Sequence, residues 1–463
     1  MKMKAGGFIT SITPKSGTHL GGSIGGYRAS EIVLDPLNAR AVIFESGEVR
    51  LCFLSLDVTI ITRQYTDKIR NGAAERYGLD PKAIMVHATQ THSAPSMGHF
   101  MIDDQFPNIP PEKQFLRGGD MEFADYAAER AIEAIGGALN RLEPVQIDSR
   151  TGELAEFAHN RRAVMRDGKV TMPWMYSTQE FPVGRNDIRH IEGPTDPEVG
   201  VLCARNAQGQ IVATLLSYTS HPVNQFAKPG AVVSADWPGA WAQEMQTLLG
   251  ENCTPLVLNG CCGNINPVPA FVPDFVPDHE RMGRELSQRA KEILSGMKFS
   301  EATDLDFLTR DIKLRVREIE PGILEEAKKR LETNPEPPWL KETPNLIDPD
   351  WCRAAWIYSI ELLRQRSAEV PYEIQIFRIG QTAFVGLPGE PFVEGQLAIK
   401  LASPFYPTQV VHCTTQYIAY FPTRDAYPRG GHEVFFCKVA PGSLEQIVES
   451  TVQFLQELDG RKK

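Results

Sequence analysis

The chain lacks any apolar run of roughly 18 residues, so no membrane-spanning helix is expected and stable membrane insertion is excluded. Its first stretch, MKMKAGGFITSITPKSG, has basic residues but no continuous apolar segment behind them; without an export signal the expected location is cytoplasmic. Basic clusters are missing as well. Acidic residues outnumber basic ones, 58 to 48, the formal charge is −10, and no basic run exceeds three residues. Phosphate backbones are held by a clustered basic face, so a nucleic-acid partner is excluded and a small-molecule substrate is expected. The 8 cysteines show no CxxC spacing, and several, such as Cys52 in RLCFLSLD, sit in apolar strand-like runs; they read as buried reduced thiols. No internal repeat, low-complexity tract or clean domain boundary is evident.

What remains is the balance of a soluble globular protein, 42% hydrophobic and 23% charged, with 463 residues to build a core. ARAVIFES and VRLCFLSLDVTII predict two buried strands joined at Ser46-Gly47. RQYTDKIRNGAAERYG then has helical spacing, and VHATQTH predicts the next strand. Residues 121–142 place Phe123, Ala127, Ala131, Ile135 and Leu139 on one helical face. That succession is a βαβ unit, and it puts the loop after VHAT at a strand's carboxyl end, where open α/β sheets build their sites. Further on, VGVLCARNAQGQIVATLLSYTSHP predicts a hairpin running to His221, PGAWAQEMQTLLG a helix opened by Pro238 and closed by Gly250, and PLVLNGCCGNINPVP a buried strand entering a glycine loop. Residues 331–350, rich in proline and acid, read as an exposed connector between two helices. Ser443 with Gln446 predicts a capping box opening the final helix. The expected fold is α/β: one large domain over residues 1–463, with mixed β-sheets flanked by helices.

Four loops that follow predicted strands carry an imidazole, carboxylate or phenol beside glycine or proline: QTHSAP (90–95), SHPVNQFAKPGAVVSADWPG (220–239), LPGEPF (387–392) and QYIAYFPT (416–423). One histidine in a loop is usually a surface or hydrogen-bonded residue. Several such strand ends on one face are what a catalytic zinc requires, three N or O donors and a position for water.

With SLD (55–57), THSAP, NRR (160–162), SHPV, SADWPG, GNINP, PGEPF and the Tyr420 segment in this order, the chain resembles the catalytic domain of the neutral, non-lysosomal ceramidase family of zinc amidases. The resemblance spans nearly the whole chain, and the family's C-terminal immunoglobulin-like domain has no counterpart after the final helix. It implies one zinc ion per chain, held by His221 of the HP motif, Glu390 of PGE and Tyr420 of AYFPT. The family's remaining ligand, a histidine, falls on Gln90, a weaker zinc donor, so the expected site is completed by Gln90 or by His92. The resemblance further implies that His92 contacts the reacting centre and moves protons, that Arg161 lies near the substrate oxygen, and that His432 and Asn266 stand where the family has a tyrosine and a serine. His87 precedes Gln90 by an odd number of residues, so an extended strand would face it away. Asp236 is expected either to orient a ligand histidine or to cap its helix.

The function expected is zinc-dependent hydrolysis of an amide-type C–N bond. Ceramide would need an apolar groove and membrane access, so a soluble amide, ester or glycoconjugate is the expected substrate. Alternatives are a metal-free relative that binds a small ligand without hydrolysing it, a metal-dependent lyase or isomerase acting on a sugar-like substrate, and a thiol mechanism at Cys261 or Cys262. PVPAFVPDFVPDHERMG (267–283) reads as an apolar lip over the site.

Overall fold

The computed structural model describes residues 2–172, 187–226, 230–269, 272, 275–301, 304–343 and 345–461. Strands buried on both faces build the central sheet. Its strands are β1 (Lys4–Ser11), β2 (Asn38–Ser46), β3 (Val49–Leu56), β4 (Ile84–Ala88), β5 (Glu143–Glu153), β6 (Glu198–Asn206), β7 (Ile211–Tyr218) and β8 (Thr254–Asn259). Their spatial order is β8-β7-β6-β5-β1-β2-β3-β4. Adjacent strands are antiparallel except β3–β4 and β7–β8, the two pairs joined through helices α1 (Arg63–Tyr77) and α3 (Asp236–Leu249). Helix α2 (Met121–Leu139) follows the site loop after β4.

Because successive side chains point to opposite faces, Val42, Phe44, Leu51 and Phe53 pack on one side while Ala41, Ile43, Cys52 and Leu54 pack on the other. The first set meets a second sheet of strands β9 (Leu305–Arg315), β10 (Glu369–Ile379), β11 (Thr382–Gly386) and β12 (Thr408–Val411). There Phe53 touches Phe384 and Phe377 edge-on at 5.0 and 5.4 Å. The second set lies under α1 and α2, and α3 with α4 (His279–Ser295) covers the other half of the same face. Beyond the second sheet, its own outer face is covered by α7 (Val393–Ala402) and α8 (Ser443–Gly460). Helices α5 (Pro321–Thr333) and α6 (Pro349–Arg366) form the excursion joined by residues 334–348. Four layers, helix, sheet, sheet, helix, explain why so many strands read as continuous apolar runs.

The central sheet coils on itself. At a typical −20 to −25° per neighbour, its eight strands accumulate roughly 150° of twist. The two ends of the sheet then approach each other: Ser55 Oγ of β3 donates to the Val257 carbonyl of β8 at 2.8 Å, and Asn259 N of β8 donates to His87 Nε2 of β4 at 3.1 Å. Gly7 permits the closure, since a Cβ there would lie 2.4 Å from Thr254 Cβ. Carboxyl ends of β4, β7 and β8 thereby reach one place.

Two local expectations fail. Strand β4 stops at Ala88, because Gln90 takes a left-handed φ of 69°, so face alternation cannot be extended through Gln90 to His92. The final helix has Gly442 at its N-cap and no side-chain cap; Ser443 Oγ donates instead to the Ala440 carbonyl, and Gln446 Nε2 to the Lys313 carbonyl. Among the described residues no helix is long and apolar enough to cross a membrane.

Candidate active site

Short ladders outside the large sheets bring the polar groups together. Glu390–Pro391 pairs in parallel with Tyr420–Phe421, so Glu390 and Tyr420 are direct register partners. Ile265–Asn266 pairs with His159–Asn160, which sets Asn266 beside Arg161, and His221 N donates to the Ile265 carbonyl at 3.1 Å. The loop after β4 joins through His92 N, which donates to the Pro222 carbonyl at 3.1 Å. Gly22 (φ 84°) passes so close that a Cβ there would lie 2.7 Å from His92 Nδ1.

His221 and Glu390 are the buried heart of this arrangement. His221 Nδ1 lies 2.8 Å from the Cys262 carbonyl, an oxygen that can only accept, so the proton sits on Nδ1 and Nε2 carries the lone pair. Nε2 faces Glu390 Oε2 at 3.4 Å, and neither atom has a hydrogen-bond partner. The other carboxylate oxygen, Oε1, accepts from Tyr417 Oη at 2.7 Å. Gln90 places its amide between Glu390, to which it donates, and the Cys262 thiol, 3.7 Å from its Oε1. Burial raises the Glu390 carboxyl against the pull of Arg161 and of these donors, and burial with Arg161 nearby drives His221 well below the usual imidazole range.

Arg161 supplies the positive charge. Its Nη2 donates to Tyr420 Oη at 3.3 Å, its Nη1 to Asn266 Oδ1 at 3.4 Å, and its Nε to Glu433 Oε1 at 2.8 Å. Glu433 also accepts from Arg162 Nη1 at 2.7 Å. Burial would raise the Glu433 carboxyl, yet the two guanidiniums more than offset it and hold its pKa at about 2. Asn266 Nδ2 is buried without a partner, a donor left free. His432 stands edge-on to Tyr420, ring centres 5.4 Å apart, and His92 edge-on to His221 at 5.3 Å. Burial, reinforced by Arg161, lowers His92 to about 3; it also lowers His432, to about 4 despite Glu433, so both are neutral imidazoles at neutral pH. His92 Nδ1 lies 3.2 Å from the Gly22 carbonyl, which leaves Nε2 as its free lone pair.

All eight residues singled out from the sequence, Gln90, His92, Arg161, His221, Asn266, Glu390, Tyr420 and His432, thus join one connected cluster. Beside it lies a pocket lined by Gln90, His92, Glu390 and Tyr420 together with apolar walls. Others fall elsewhere. His87 has both ring nitrogens occupied, by the His412 carbonyl and by Asn259 N. Asp236 neither orients His221 nor caps α3 from the N-cap position, which is Ala235; its carboxylate takes Asn224 Nδ2, Gln225 N and Trp237 N. Asn264 holds the start of α7, accepting from Val393 N and donating to Glu394. The Cys261 and Cys262 thiols are fully buried and pushed up by burial, the reverse of an activated nucleophile. Of the supposed apolar lip, residues 270, 271, 273 and 274 lie outside the described residues.

Sequence reasoning missed Tyr417 and Glu433. A signal for Glu433 existed: two adjacent arginines, Arg161 and Arg162, need a carboxylate when buried, and Glu433 is the one acid in GGHEVFF. Tyr417 gave none, since its reach to Glu390 depends on an irregular loop in which Thr415 and Ala419 take positive φ.

The mixed α/β fold is the one seen in solved neutral ceramidase structures. The structure of neutral ceramidase from Pseudomonas aeruginosa superposes on this chain with a TM-score of 0.73 at 18% identity, covering 100% of this chain and 75% of that one. A ceramidase complexed with C2 matches with a TM-score of 0.72, also at 18% identity, over 100% and 76% of the two chains. No family model and no curated protein sequence matches the chain.

Proposed function

We propose that the chain is a hydrolase of an amide-type C–N bond in a soluble small molecule, working with one zinc ion held by His221, Glu390 and Tyr420. One observation carries this reading: two buried acceptors, His221 Nε2 and Glu390 Oε2, face each other at 3.4 Å with nothing between them to donate. An unpaired polar atom in the interior costs free energy, and a cation between these two would remove both penalties. The spacing fits, because two donors at about 2.0–2.2 Å from a tetrahedral zinc are about 3.4 Å apart. Tyr420 Oη is the third donor. Gln90 as placed here turns its nitrogen to Glu390, so its role is to hold the carboxylate, and the oxygen reaches the ion only after an amide flip. The hydrogen bond from His221 Nδ1 to the Cys262 carbonyl fixes the ring as a ligand requires.

Zinc, when bound, lowers the pKa of its water toward neutrality and polarises a carbonyl. The chain's own residues do the rest. Neutral His92, its Nδ1 committed to Gly22, offers Nε2 to take a proton from the attacking water and return it to the leaving nitrogen. Arg161 and the free Asn266 amide present donors where the carbonyl oxygen gains charge.

A second reading keeps the cluster without metal, as a binder. It is favoured by one fact: among the described residues no group of three His, Cys, Asp or Glu side chains is arranged to hold an ion. Zinc analysis separates the two. About one equivalent per chain, lost together with amide hydrolysis in His221→Ala and Glu390→Ala, supports the hydrolase; a zinc-free chain that takes up none on titration overturns it.

A further inference from the structure

A neutral imidazole can hold its proton on either nitrogen, and the partner of one nitrogen decides the form. For His92 that partner is the Gly22 carbonyl, 3.2 Å from Nδ1, an oxygen that can only accept. Whatever holds Gly22 in place therefore governs where the His92 lone pair lies.

Gly22 belongs to a loop, residues 19–29, that also supplies Ser23 and Ile24 to the pocket wall. The loop folds back on itself through the bridge between His19 and Ala29 and through Leu20 N, which donates to the Arg28 carbonyl at 2.8 Å. Ile347 N donates to its Gly25 carbonyl at 2.9 Å, and Gly21 N donates to the Ala94 carbonyl at 2.8 Å. Arg28 joins the loop to His92 itself. Its Nη1 gives one hydrogen to the Gly21 carbonyl at 2.9 Å and the other to the His92 carbonyl at 2.8 Å. The guanidinium lies over the Phe226 ring, 4.9 Å from its centre, and Phe226 meets the His92 ring edge-on at 5.4 Å. Burial lowers Arg28 to about 10, and among the described residues no carboxylate pairs with it. A guanidinium withdrawn from water without an acid is costly, and here its contacts converge on one ring.

We propose that Arg28 is a positioning residue for His92: by tying the Gly21 and His92 carbonyls to one nitrogen it keeps the Gly22 carbonyl on Nδ1, and so keeps the lone pair on Nε2. The use of that lone pair, accepting a proton from the attacking water, rests on the hydrolase reading; the tautomer does not. The test reads the tautomer with no substrate present. The full chain, isotope-labelled at its histidine nitrogens, is stripped of metal with a chelator and held at about pH 8, where ordinary imidazoles are neutral. Nitrogen NMR separates protonated from bare ring nitrogens, and the signals lost in His92→Gln identify this ring. In the wild type Nδ1 should carry the proton. Arg28→Met, which removes charge and donors but keeps an unbranched side chain, should lower the ratio of the Nδ1-protonated to the Nε2-protonated form by about tenfold or more, the scale of a charge-assisted hydrogen bond. Arg28→Gln should lower it in the same direction. Because a single nitrogen serves both carbonyls, Arg28→Lys should hold the ratio within about threefold of wild type. A cation that served only to stabilise the loop would lower the thermal midpoint and leave the ratio unmoved. A wild-type ring protonated on Nε2, a ratio unchanged in both neutral variants, or a lysine variant that behaves like them overturns the proposal. The expected shift in a chain that takes up no zinc leaves the positioning role standing and overturns the hydrolase reading instead.

Discussion

Tyr417 Oη donates to Glu390 Oε1 at 2.7 Å, which leaves Oε2 as the carboxylate oxygen facing His221. In the zinc-bound form proposed above, a ligand carboxylate free to rotate would lose part of its binding energy to ordering, so the hydroxyl would matter to the ion without touching it. Tyr417→Phe removes the donor and keeps the ring that packs on Phe100. Zinc affinity, measured by competition with a chelating dye, is expected to weaken by roughly 10- to 100-fold, with the thermal midpoint of the metal-free chain nearly unchanged. Wild-type zinc affinity in this variant would show that Glu390 needs no such guide.

Gln90 invites the opposite change. Its backbone is left-handed, a conformation that histidine tolerates better than most residues. An imidazole there would add a strong nitrogen donor in place of an amide that bonds to Glu390 and lies against Cys262. Gln90→His should raise zinc affinity by about tenfold or more. If affinity stays level or falls, the position does not face the ion.

The fold was readable in the sequence wherever burial on both faces wrote long apolar runs, as in β2, β3 and β7, and wherever a helix separated parallel strands, as α1 does. The site residues were readable as motifs at strand ends. What could not be read was geometry made by tertiary closure. The left-handed turn at Gln90 ended a strand that propensity alone would extend. Coiling of the sheet, permitted at Gly7, decided that His87 would spend both nitrogens on Asn259 and the His412 chain while His92 faced the pocket. Likewise Asp236, a plausible cap by spacing, is drawn to Asn224 and Gln225 by a loop more than ten residues upstream.

Cys262 tests the mechanism from the other side. Its thiol has His412 nitrogens at 3.7 and 3.8 Å, superficially the pairing of a thiol hydrolase, but it is fully buried and burial keeps it protonated. Its carbonyl, not its sulfur, serves His221. Cys262→Ala should therefore keep turnover within about threefold and cost about 1–2 kcal/mol of stability for the small void. A loss of several orders of magnitude in kcat, with zinc content intact, would restore the thiol as nucleophile.

Glu433 gives the clearest pH dependence. Its carboxyl is held at about 2, against an ordinary 4.5, by Arg161 and Arg162. A depressed carboxylate stabilises the fold fully above its unfolded pKa, and that stabilisation is lost as pH falls through the folded value. The window is therefore from 4.5 down to about 2, and the contribution at stake is about 3 kcal/mol. In Glu433→Gln the buried Arg161 loses its carboxylate while Arg162 keeps Glu192, which should cost about 3–5 kcal/mol at neutral pH. Urea midpoints taken at about pH 6, 4 and 3 should fall more steeply for the wild type than for the variant, because the variant has no carboxylate left to protonate there. Parallel slopes would mean that the pair of arginines is neutralised by some other group.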